Sequence, residues 1–469
     1  MFFSDKLRLL RTQANLSQED LADELHVSRQ SVSKWESGIS FPEIEKLISI
    51  SNYFHVSLDA LLKAPLHDTP ITETMDRLVL QFLGSSQSMH DISQQLVTIM
   101  QDGKIVCADA IGVIDKINNQ PITTDCTFNV CSISKIYCTV CIMQLVDEGL
   151  IQLEDKVADI LPEFTMKDER YKDITVRMCL DHSSGLPGTQ WKHFSVSTTS
   201  KFDYYSEVLN YFSNSTLKAD PGTYSTYCND GFTLAEMVVS KVRNMPYEDV
   251  LKKYITEKIG AKSTNTTYTI NSDYPLVSEG KKPKEYFPIQ GAGGITTSMI
   301  DLCKFGQLFL EPNSIISEKS KALMAKSWGT TFLESDLGAI DFGLGWDLVK
   351  HHDPDYDFGD GVLAKGGNSM FFSSRLIIVP KYNAVLAFSE THDCGLEVPT
   401  TLMRLFNTYL EPNTYPDYSG IYTHAFGLQK ITTIKSSMVV QDKTEKGWIM
   451  SDLLNYADGK WTNEKGNQI

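Results

Sequence analysis

The segment FNVCSISKIYCTVCIMQLVDEGLIQLEDKVADILPEF, residues 128–164, decides the fold of most of this chain. Its apolar residues recur at helical spacing from Ile136 onward, which predicts a buried helix that begins near Ser132. Ser132 and Lys135 are three residues apart, so both side chains lie on one face of its first turn. A serine at a helix N-terminus, beside an amine in low dielectric, suits nucleophilic acyl transfer. The Ser-x-x-Lys spacing alone is common on surface helices, so the assignment depends on other segments.

Four later segments supply further polar groups among glycine-rich turns and apolar elements. The second segment contains Tyr227 and Asn229, and the fourth contains Lys365 directly before two glycines and an apolar strand pattern. The segments are ITVRMCLDHSSGLPG (174–188), PGTYSTYCNDGFTLAEMVVSKV (221–242), GAGGITTSMIDLCKFGQLFL (291–310) and LAKGGNSMFFSSRLIIVP (363–380).

Together these segments resemble the serine β-lactamase and penicillin-binding-protein superfamily, particularly class C β-lactamases and their esterase and D-aminopeptidase relatives. The likeness covers roughly residues 75–410, and its three motifs, at Ser132, Tyr227 and Lys365, occur in the family's order. The resemblance implies an α+β domain of the β-lactamase/transpeptidase type. Such a domain has an antiparallel sheet flanked by helices, plus a helical subdomain.

The resemblance also implies catalytic roles for five residues. Ser132 would attack an acyl carbonyl, and Lys135 with Tyr227 would form the base network. Asn229 would hold Lys135 or a substrate amide. Lys365 would place a positive charge beside the tyrosine and bind a substrate carboxylate. The implied substrate is a small ester, amide or D-amino-acid peptide.

The same likeness implies an oxyanion hole formed by the backbone N–H groups of Ser132 and Asn368. The Gly366-Gly367 pair would let its strand approach the substrate closely. Two positions depart from relatives of this type. Lys365 stands where esterase and aminopeptidase relatives often have histidine, which favours a carboxylate-bearing substrate. Gly366 replaces a threonine or serine, so one hydroxyl contact to the substrate is missing.

The N-terminal segment LSQEDLADELHVSRQSVSKWESG, residues 16–38, predicts two short helices joined by a tight turn. Ser17 and Ser28 are placed to cap them. His26 occupies the turn, where a positive φ is expected. This pattern resembles the phage repressor/Cro-type helix-turn-helix family over residues 5–62.

That resemblance implies a double-stranded DNA operator as partner, read by a homodimer on two half-sites. The second helix would enter the major groove, because arginine reads guanine and glutamine reads adenine there. A small helical interaction module is the alternative, since residues 1–63 hold seven Lys/Arg against nine Asp/Glu. The implied DNA-binding residues are Gln18, Ser28, Arg29, Gln30, Ser31 and Lys34.

The domain organisation follows from these segments and the stretches between them. We expect an all-α helix-turn-helix domain at 1–63, a linker at 64–74 and the serine hydrolase domain at 75–411. Residues 412–469 alternate apolar and polar side chains with Gly turns, which predicts a small β-meander. That segment resembles the small β-barrel appended to many proteins of the superfamily. Asp102-Gly103 predicts a hairpin turn early in the hydrolase domain.

Composition limits the function classes. The chain has 469 residues, a net charge of −16 and 22% charged residues, which excludes disorder, collagen-like repeats and a coiled-coil rod. It contains no apolar run of membrane-spanning length and no signal-peptide core, so a cytoplasmic location without membrane contact is expected. No cofactor or metal is predicted.

Other reactive side chains are interpreted as structural. Cys138 and Cys141 form a Cys-x-x-Cys on an apolar helix, and buried core thiols are expected rather than a redox pair or metal half-site. His182 is expected to fix a turn by hydrogen bonding. The pair His351-His352 is expected in a solvated loop.

Two functional hypotheses remain open. The first is a cytoplasmic serine hydrolase joined to a DNA-binding domain. The second is a transcriptional regulator whose hydrolase-like domain senses a ligand or β-lactam without significant turnover. The presence of all five implied catalytic residues favours the first hypothesis, in which catalytic activity is retained.

Overall fold

The structure is a computed structural model of the chain. The residues it describes are 3–14, 16–37, 40–54, 56, 61, 79, 83, 94–114, 121–196, 202–267, 286–312, 314–329, 342–349, 358–369, 371–391, 398–399, 401–403, 406, 418, 420–424, 427–434, 437–444, 447–457 and 460–463.

Over the described residues 3–54, the N-terminal domain contains four helices. They are α1 (Phe3–Gln13), α2 (Gln18–Glu24), α3 (Arg29–Glu36) and α4 (Ile44–Phe54). The predicted caps are confirmed: Ser17 and Asp20 form a reciprocal capping box on α2, and the Ser28 hydroxyl accepts the Ser31 N–H on α3. His26 has φ of +50°, so the expected positive φ in the turn is confirmed.

The core of this domain combines apolar side chains with an ion pair. Leu7, Leu21 and Val32 are fully buried, and further apolar side chains surround them. Arg11 of α1 makes a bidentate contact with Glu36 at the end of α3, with distances of 2.6 and 3.0 Å. Burial of Glu36 makes this contact an internal link between the first and third helices.

A five-stranded antiparallel sheet forms the centre of the second domain, in the order β2-β1-β8-β7-β6. Asp102 and Gly103 have φ of +50° and +71°, which confirms the predicted hairpin turn between the first two strands. The strands are β1 (Gln94–Gln101), β2 (Lys104–Gly112), β6 (Leu363–Asn368), β7 (Ser373–Val379) and β8 (Ala384–Glu390).

Helices pack beside this sheet, and the most buried is α5 (Ser134–Asp147). Tyr137 of that helix stacks on Phe305, with 3.6 Å between ring centroids. The other helices of the domain are α6 (Val157–Ile160), α7 (Val176–Leu180), α8 (Tyr204–Ser213), α9 (Asn229–Arg243), α10 (Tyr247–Leu251), α11 (Glu257–Ile259), α12 (Gln290–Gly293), α13 (Met299–Gln307) and α14 (Glu318–Met324). The predicted α+β arrangement is therefore confirmed.

Two smaller sheets complete the described structure. One is three-stranded, in the order β3-β5-β4, and its central strand pairs with the strand that precedes Ser132. The other is the predicted C-terminal meander, in the order β13-β12-β11-β10-β9. Their strands are β3 (Phe128–Asn129), β4 (Asn265–Thr266), β5 (Ile295–Thr297), β9 (Gly420–His424), β10 (Gly427–Ile434), β11 (Ser437–Thr444), β12 (Gly447–Ala457) and β13 (Lys460–Thr462).

Within the described ranges, every helix is too short or too polar to cross a lipid bilayer.

Candidate active site

Ser132 lies in a short 3-10 turn, Cys131–Ile133, that runs directly into α5. The turn is bent at Cys131, whose φ of +42° is unusual for a residue with a side chain. The Asn129 side chain stabilises this bend, since its Oδ1 accepts the Cys131 N–H at 2.9 Å and its Nδ2 donates to the Gly293 carbonyl. The sharp turn leaves Ser132 half-buried and facing a pocket, while its neighbours are buried.

Lys135 is fully buried, and its ammonium has three hydrogen-bond acceptors. It donates to Ser132 Oγ at 3.1 Å, to Asn229 Oδ1 at 2.6 Å and to the Ala292 carbonyl at 2.8 Å. Three acceptors match the three protons of a charged lysine. The structure thus brings Ser132, Lys135 and Asn229 together, although Asn229 is 94 residues from Lys135.

Tyr227 and Lys365 form the opposite side of the site. The Lys365 ammonium lies 3.3 Å from the Tyr227 hydroxyl, and Lys135 lies 4.9 Å from the centre of the tyrosine ring. The tyrosine is therefore flanked by two cations. Lys365 also pairs with Asp347 at 2.6 Å, a contact that the sequence motifs do not predict.

Gly367 brings strand β6 against the turn Cys131–Ile133 that contains Ser132. A Cβ at this position would lie 2.0 Å from the Val130 carbonyl oxygen and 3.1 Å from the Ile133 nitrogen. Only glycine fits this contact without a backbone shift. At Gly366, by contrast, the nearest atom to such a Cβ is the Arg375 Nη1 at 3.4 Å. The close approach expected of the glycine pair thus belongs to Gly367 and is made to the backbone around Ser132.

Four of the predicted catalytic residues line one pocket of about 440 Å³, namely Ser132, Tyr227, Asn229 and Lys365, and Lys135 reaches Ser132 Oγ from outside that lining. Asn368, predicted for the oxyanion hole, lines it together with Ser132, and its side chain accepts a hydrogen bond from Arg375 at 2.8 Å. One side of the pocket is apolar and comprises Trp191, Phe194, Phe287 and Ile289.

The His182 ring packs against the ring of Tyr227. Its ring stacks on Tyr227 with 4.3 Å between centroids, and its Nδ1 accepts the Cys228 N–H at 3.1 Å. Burial, together with the charges of Lys135 and Lys365, holds the pKa of His182 well below its ordinary value. The imidazole is therefore neutral, and the predicted turn-fixing hydrogen bond is present.

The Cys-x-x-Cys thiols are core groups, as expected. Cys138 and Cys141 are buried, and burial raises the pKa of both thiols, that of Cys141 to about 12. Among the described residues, no group of three or more His, Cys, Asp or Glu side chains could hold a metal ion. The pair His351-His352 lies outside the described residues.

The predicted DNA-binding side chains lie on α3 and its N-cap, except Gln18, which begins α2. Arg29, Gln30 and Lys34 are exposed, and Arg29 lies 3.8 Å from Glu19. Ser28 and Ser31 share a hydrogen bond of 3.0 Å in the first turn. Gln18 is half-buried instead, and its amide donates to the buried Glu36 carboxylate at 2.8 Å. The structure thus links Gln18 to the Arg11–Glu36 pair of the core.

Sequence reasoning missed two residues of the site, Asp347 and Cys131. Asp347 follows the segment FGLGW, residues 342–346, whose paired glycines around a leucine were a usable signal for a tight turn. Cys131 directly precedes Ser132, and nothing in its residue type indicates a positive φ.

Comparison with known proteins agrees with this geometry. The family model described as Beta-lactamase matches residues 71–400, and the model described as Helix-turn-helix matches residues 7–61. Penicillin-binding protein 4* of Bacillus subtilis is 25% identical over 275 residues, which cover 54% of this chain and 59% of that protein. The chain thus spans little more than half the length of that relative.

Two further proteins are similar to this chain, one to its helix-turn-helix domain and one to its hydrolase domain. The HTH-type transcriptional activator BcrR of Enterococcus faecalis is 53% identical over 62 residues, which cover 13% of this chain and 30% of that protein. A solved class C beta-lactamase superposes with a TM-score of 0.61 at 18% identity and covers 74% of this chain and 99% of that one. In the sequence, the helix-turn-helix domain precedes the serine hydrolase domain. Because the Beta-lactamase model matches most of the length of the chain, the chain belongs to the beta-lactamase family.

Proposed function

We propose that this chain is an active serine acyl hydrolase, working in the cytoplasm, that also binds DNA at a specific operator. The observation that carries the hydrolase proposal is the direct contact of the buried Lys135 ammonium with Ser132 Oγ, at 3.1 Å, in a pocket that also holds Tyr227 and Lys365. Such a contact orients a serine oxygen for attack and stabilises its developing negative charge.

The proton route follows from the acceptors around each group. Lys135 is satisfied as an ammonium, so Tyr227 is the residue that takes the Ser132 proton as the oxygen attacks. Two neighbouring cations stabilise negative charge on the tyrosine. Tyr227 then returns the proton to the leaving group, and water hydrolyses the acyl-enzyme by the reverse route. The N–H groups of Ser132 and Asn368 stabilise the oxyanion.

The substrate we propose is a small ester, amide or D-amino-acid peptide. Trp191 and Phe194 at the pocket wall suit an apolar acyl group, because aromatic side chains contribute large contact areas. The direct test is hydrolysis of p-nitrophenyl esters of increasing acyl length by the full chain. Turnover that disappears in the Ser132→Ala variant supports the proposal, and equal rates in both proteins contradict it.

Tyr227→Phe tests the proton route. This change keeps the ring between His182 and the two lysines but removes the hydroxyl, and we expect kcat to fall about 10²–10⁴-fold. Tyr224→Phe, the same change at a residue outside the pocket lining, is the matched control. A loss of less than about threefold in Tyr227→Phe, with chemistry rate-limiting, rules out the proton-transfer role.

For the N-terminal domain we propose sequence-specific binding of a homodimer to double-stranded DNA. The helix-turn-helix geometry supports this, with exposed Arg29 and Gln30 at the start of α3. Half-sites should lie about 10 base pairs apart, one helical turn, so that both recognition helices reach the same face of the duplex.

Arg29→Ala is expected to cost about 1–3 kcal/mol of binding free energy and to relax preference at one base position. Glu19→Gln is expected to act in the opposite direction, because it removes the carboxylate that lies 3.8 Å from Arg29 and competes with DNA. Selection from random duplexes, then gel shift at fixed salt, measures both variants. Failure of a folded, dimeric chain to enrich any sequence would support the interaction-module alternative.

The sensor hypothesis is favoured by one observation, the union of both domains in a single chain. In that case acylation of Ser132 would change operator affinity while the acyl-enzyme persisted. Gel shifts before and after acylation, with deacylation followed by intact mass, separate a sensor from a hydrolase that turns over.

A further inference from the structure

Asp347 enters the catalytic pocket from a turn that is packed tightly against the nucleophile helix. Gly345, two residues earlier, has φ of +79°, and a Cβ there would lie 2.5 Å from Thr139 Oγ1 of α5. The Gly345 N–H donates to the Leu180 carbonyl at 3.0 Å, and Trp346 is buried. This packing fixes the turn and holds the Asp347 side chain at the pocket wall.

The Asp347 carboxylate covers the Lys365 ammonium. Its Oδ1 lies 2.6 Å from Lys365 Nζ, and its Oδ2 accepts the Gly366 N–H at 3.3 Å. The Lys365 side chain is 0% exposed, whereas that of Asp347 is 28% exposed. The face of this ion pair that a substrate meets is therefore the carboxylate rather than the ammonium.

The Lys365 ammonium is charged at neutral pH and lies against the Asp347 carboxylate. Burial lowers the pKa of Lys365, but Asp347 and Tyr227 together outweigh burial and hold that pKa above its ordinary value. The positive charge of Lys365 is thus compensated inside the protein. A second carboxylate brought to this position would meet Asp347 at short range, in a region of reduced dielectric where like charges repel strongly.

The position of the pair identifies the part of the substrate that meets it. Lys365 contacts the hydroxyl of Tyr227, the residue that returns the proton to the leaving group in the proposed reaction. The leaving-group end of a bound substrate therefore lies beside Lys365 and Asp347. Arg375 is another cation in the pocket lining, and its guanidinium donates to two uncharged acceptors, Asn368 Oδ1 and Ser373 Oγ, at 2.8 and 2.9 Å.

We propose that Asp347 is a specificity-determining residue that excludes carboxylate-bearing leaving groups and selects substrates whose leaving group is neutral or positively charged. This inference rests on the proposed acyl hydrolase function. It departs from the carboxylate binding that the family resemblance implies for Lys365, because in this chain the ammonium is covered.

Three thioesters of phenylacetic acid test the preference, since they share one acyl group. Their leaving thiols are thioglycolate with charge −1, thioglycolamide with no charge, and thiocholine with charge +1. In each turnover the Ser132 oxygen forms an ester with the acyl group, the C–S bond breaks and the thiol leaves with a proton. Water then hydrolyses the ester to phenylacetate, and released thiol is measured with a chromogenic disulfide.

We expect wild-type kcat/KM for the neutral and cationic thioesters to exceed that for the thioglycolate thioester by about tenfold or more. Asp347→Asn, which keeps a hydrogen-bond acceptor for Gly366, should reduce this ratio to about threefold or less. Asp347→Glu keeps the charge and should keep the wild-type ratio. Asp173→Asn makes the same charge change at an exposed position outside the pocket lining and should also keep it.

Because both kcat/KM values in each ratio are measured on the same protein, a smaller folded fraction lowers both values equally and leaves the ratio unchanged. A wild-type preference for the thioglycolate thioester, or an unchanged ratio in an Asp347→Asn variant that still hydrolyses the neutral thioester, overturns the inference and leaves the hydrolase proposal intact. A lack of Ser132-dependent turnover for all three thioesters, together with no fluorophosphonate adduct, overturns the hydrolase proposal and this inference with it.

Discussion

Replacing Ser132 by alanine is expected to lower kcat for ester hydrolysis by on the order of 10⁶-fold, since the nucleophile and its partners act as a unit. The change removes only one oxygen, the acceptor of the 3.1 Å hydrogen bond from Lys135. Because Ser132 is half-buried and faces the pocket, the fold should remain. Steady-state kinetics and a thermal melt on the same preparation measure both expectations.

Ser134→Ala is the matched control for this experiment. Ser134 is fully buried two residues further along, and its Oγ accepts the Ile295 N–H at 2.9 Å. Its loss leaves a buried N–H unpaired, so we expect lower stability, by about 1–3 kcal/mol, with hydrolysis retained. Ser132 is not the nucleophile if Ser132→Ala keeps the wild-type kcat, or if hydrolysis is abolished by Ser134→Ala and not by Ser132→Ala.

Gly367→Ala is expected to have the next largest effect, although it removes no functional group. The added methyl group would lie 2.0 Å from the Val130 carbonyl oxygen, so strand β6 or the turn that carries Ser132 must move. A displacement of about 1 Å at a catalytic group reduces rates by on the order of 10²-fold, and overpacking costs about 1–3 kcal/mol. We therefore expect losses in both kcat and melting temperature.

Gly366→Ala provides the comparison, since the two glycines are adjacent on one strand. Its added methyl group would meet the end of the Arg375 side chain at 3.4 Å, an ordinary contact distance. We expect this variant to keep activity within about tenfold and to keep its melting temperature. If the two variants lose activity and melting temperature equally, the close contact of Gly367 with the turn around Ser132 is not the reason why glycine is needed there.

Local sequence patterns predicted the features that depend on neighbouring residues. Asp102-Gly103 indicated a hairpin turn, and both residues have positive φ. Ser17 and Ser28 were placed as helix caps and accept the expected N–H groups. Each of these features needs only residue type and spacing within one turn, because the contacts that define it are made inside that turn.

Features that depend on distant contacts were not predictable in the same way. The helix expected to begin near Ser132 starts at Ser134, after a bent 3-10 turn. Asn129 holds this turn, and its own side chain is fixed by the Gly293 carbonyl, 164 residues away. Asp347 pairs with Lys365, 18 residues away, and no spacing rule links the two. The family resemblance placed Lys365 in the site but not the carboxylate that covers it, and that carboxylate changes the expected substrate.

If Ser132 is the acylated nucleophile of a working hydrolase, a covalent inhibitor must attach to its oxygen, and the position of that adduct can be mapped. The full chain is incubated with a neutral fluorophosphonate ester, and intact mass is followed by peptide mapping. We expect one adduct per chain, on Ser132, and none in Ser132→Ala. A folded wild-type chain that gains no adduct, or carries it on Ser134 or Ser184, would show that Ser132 is not the nucleophile.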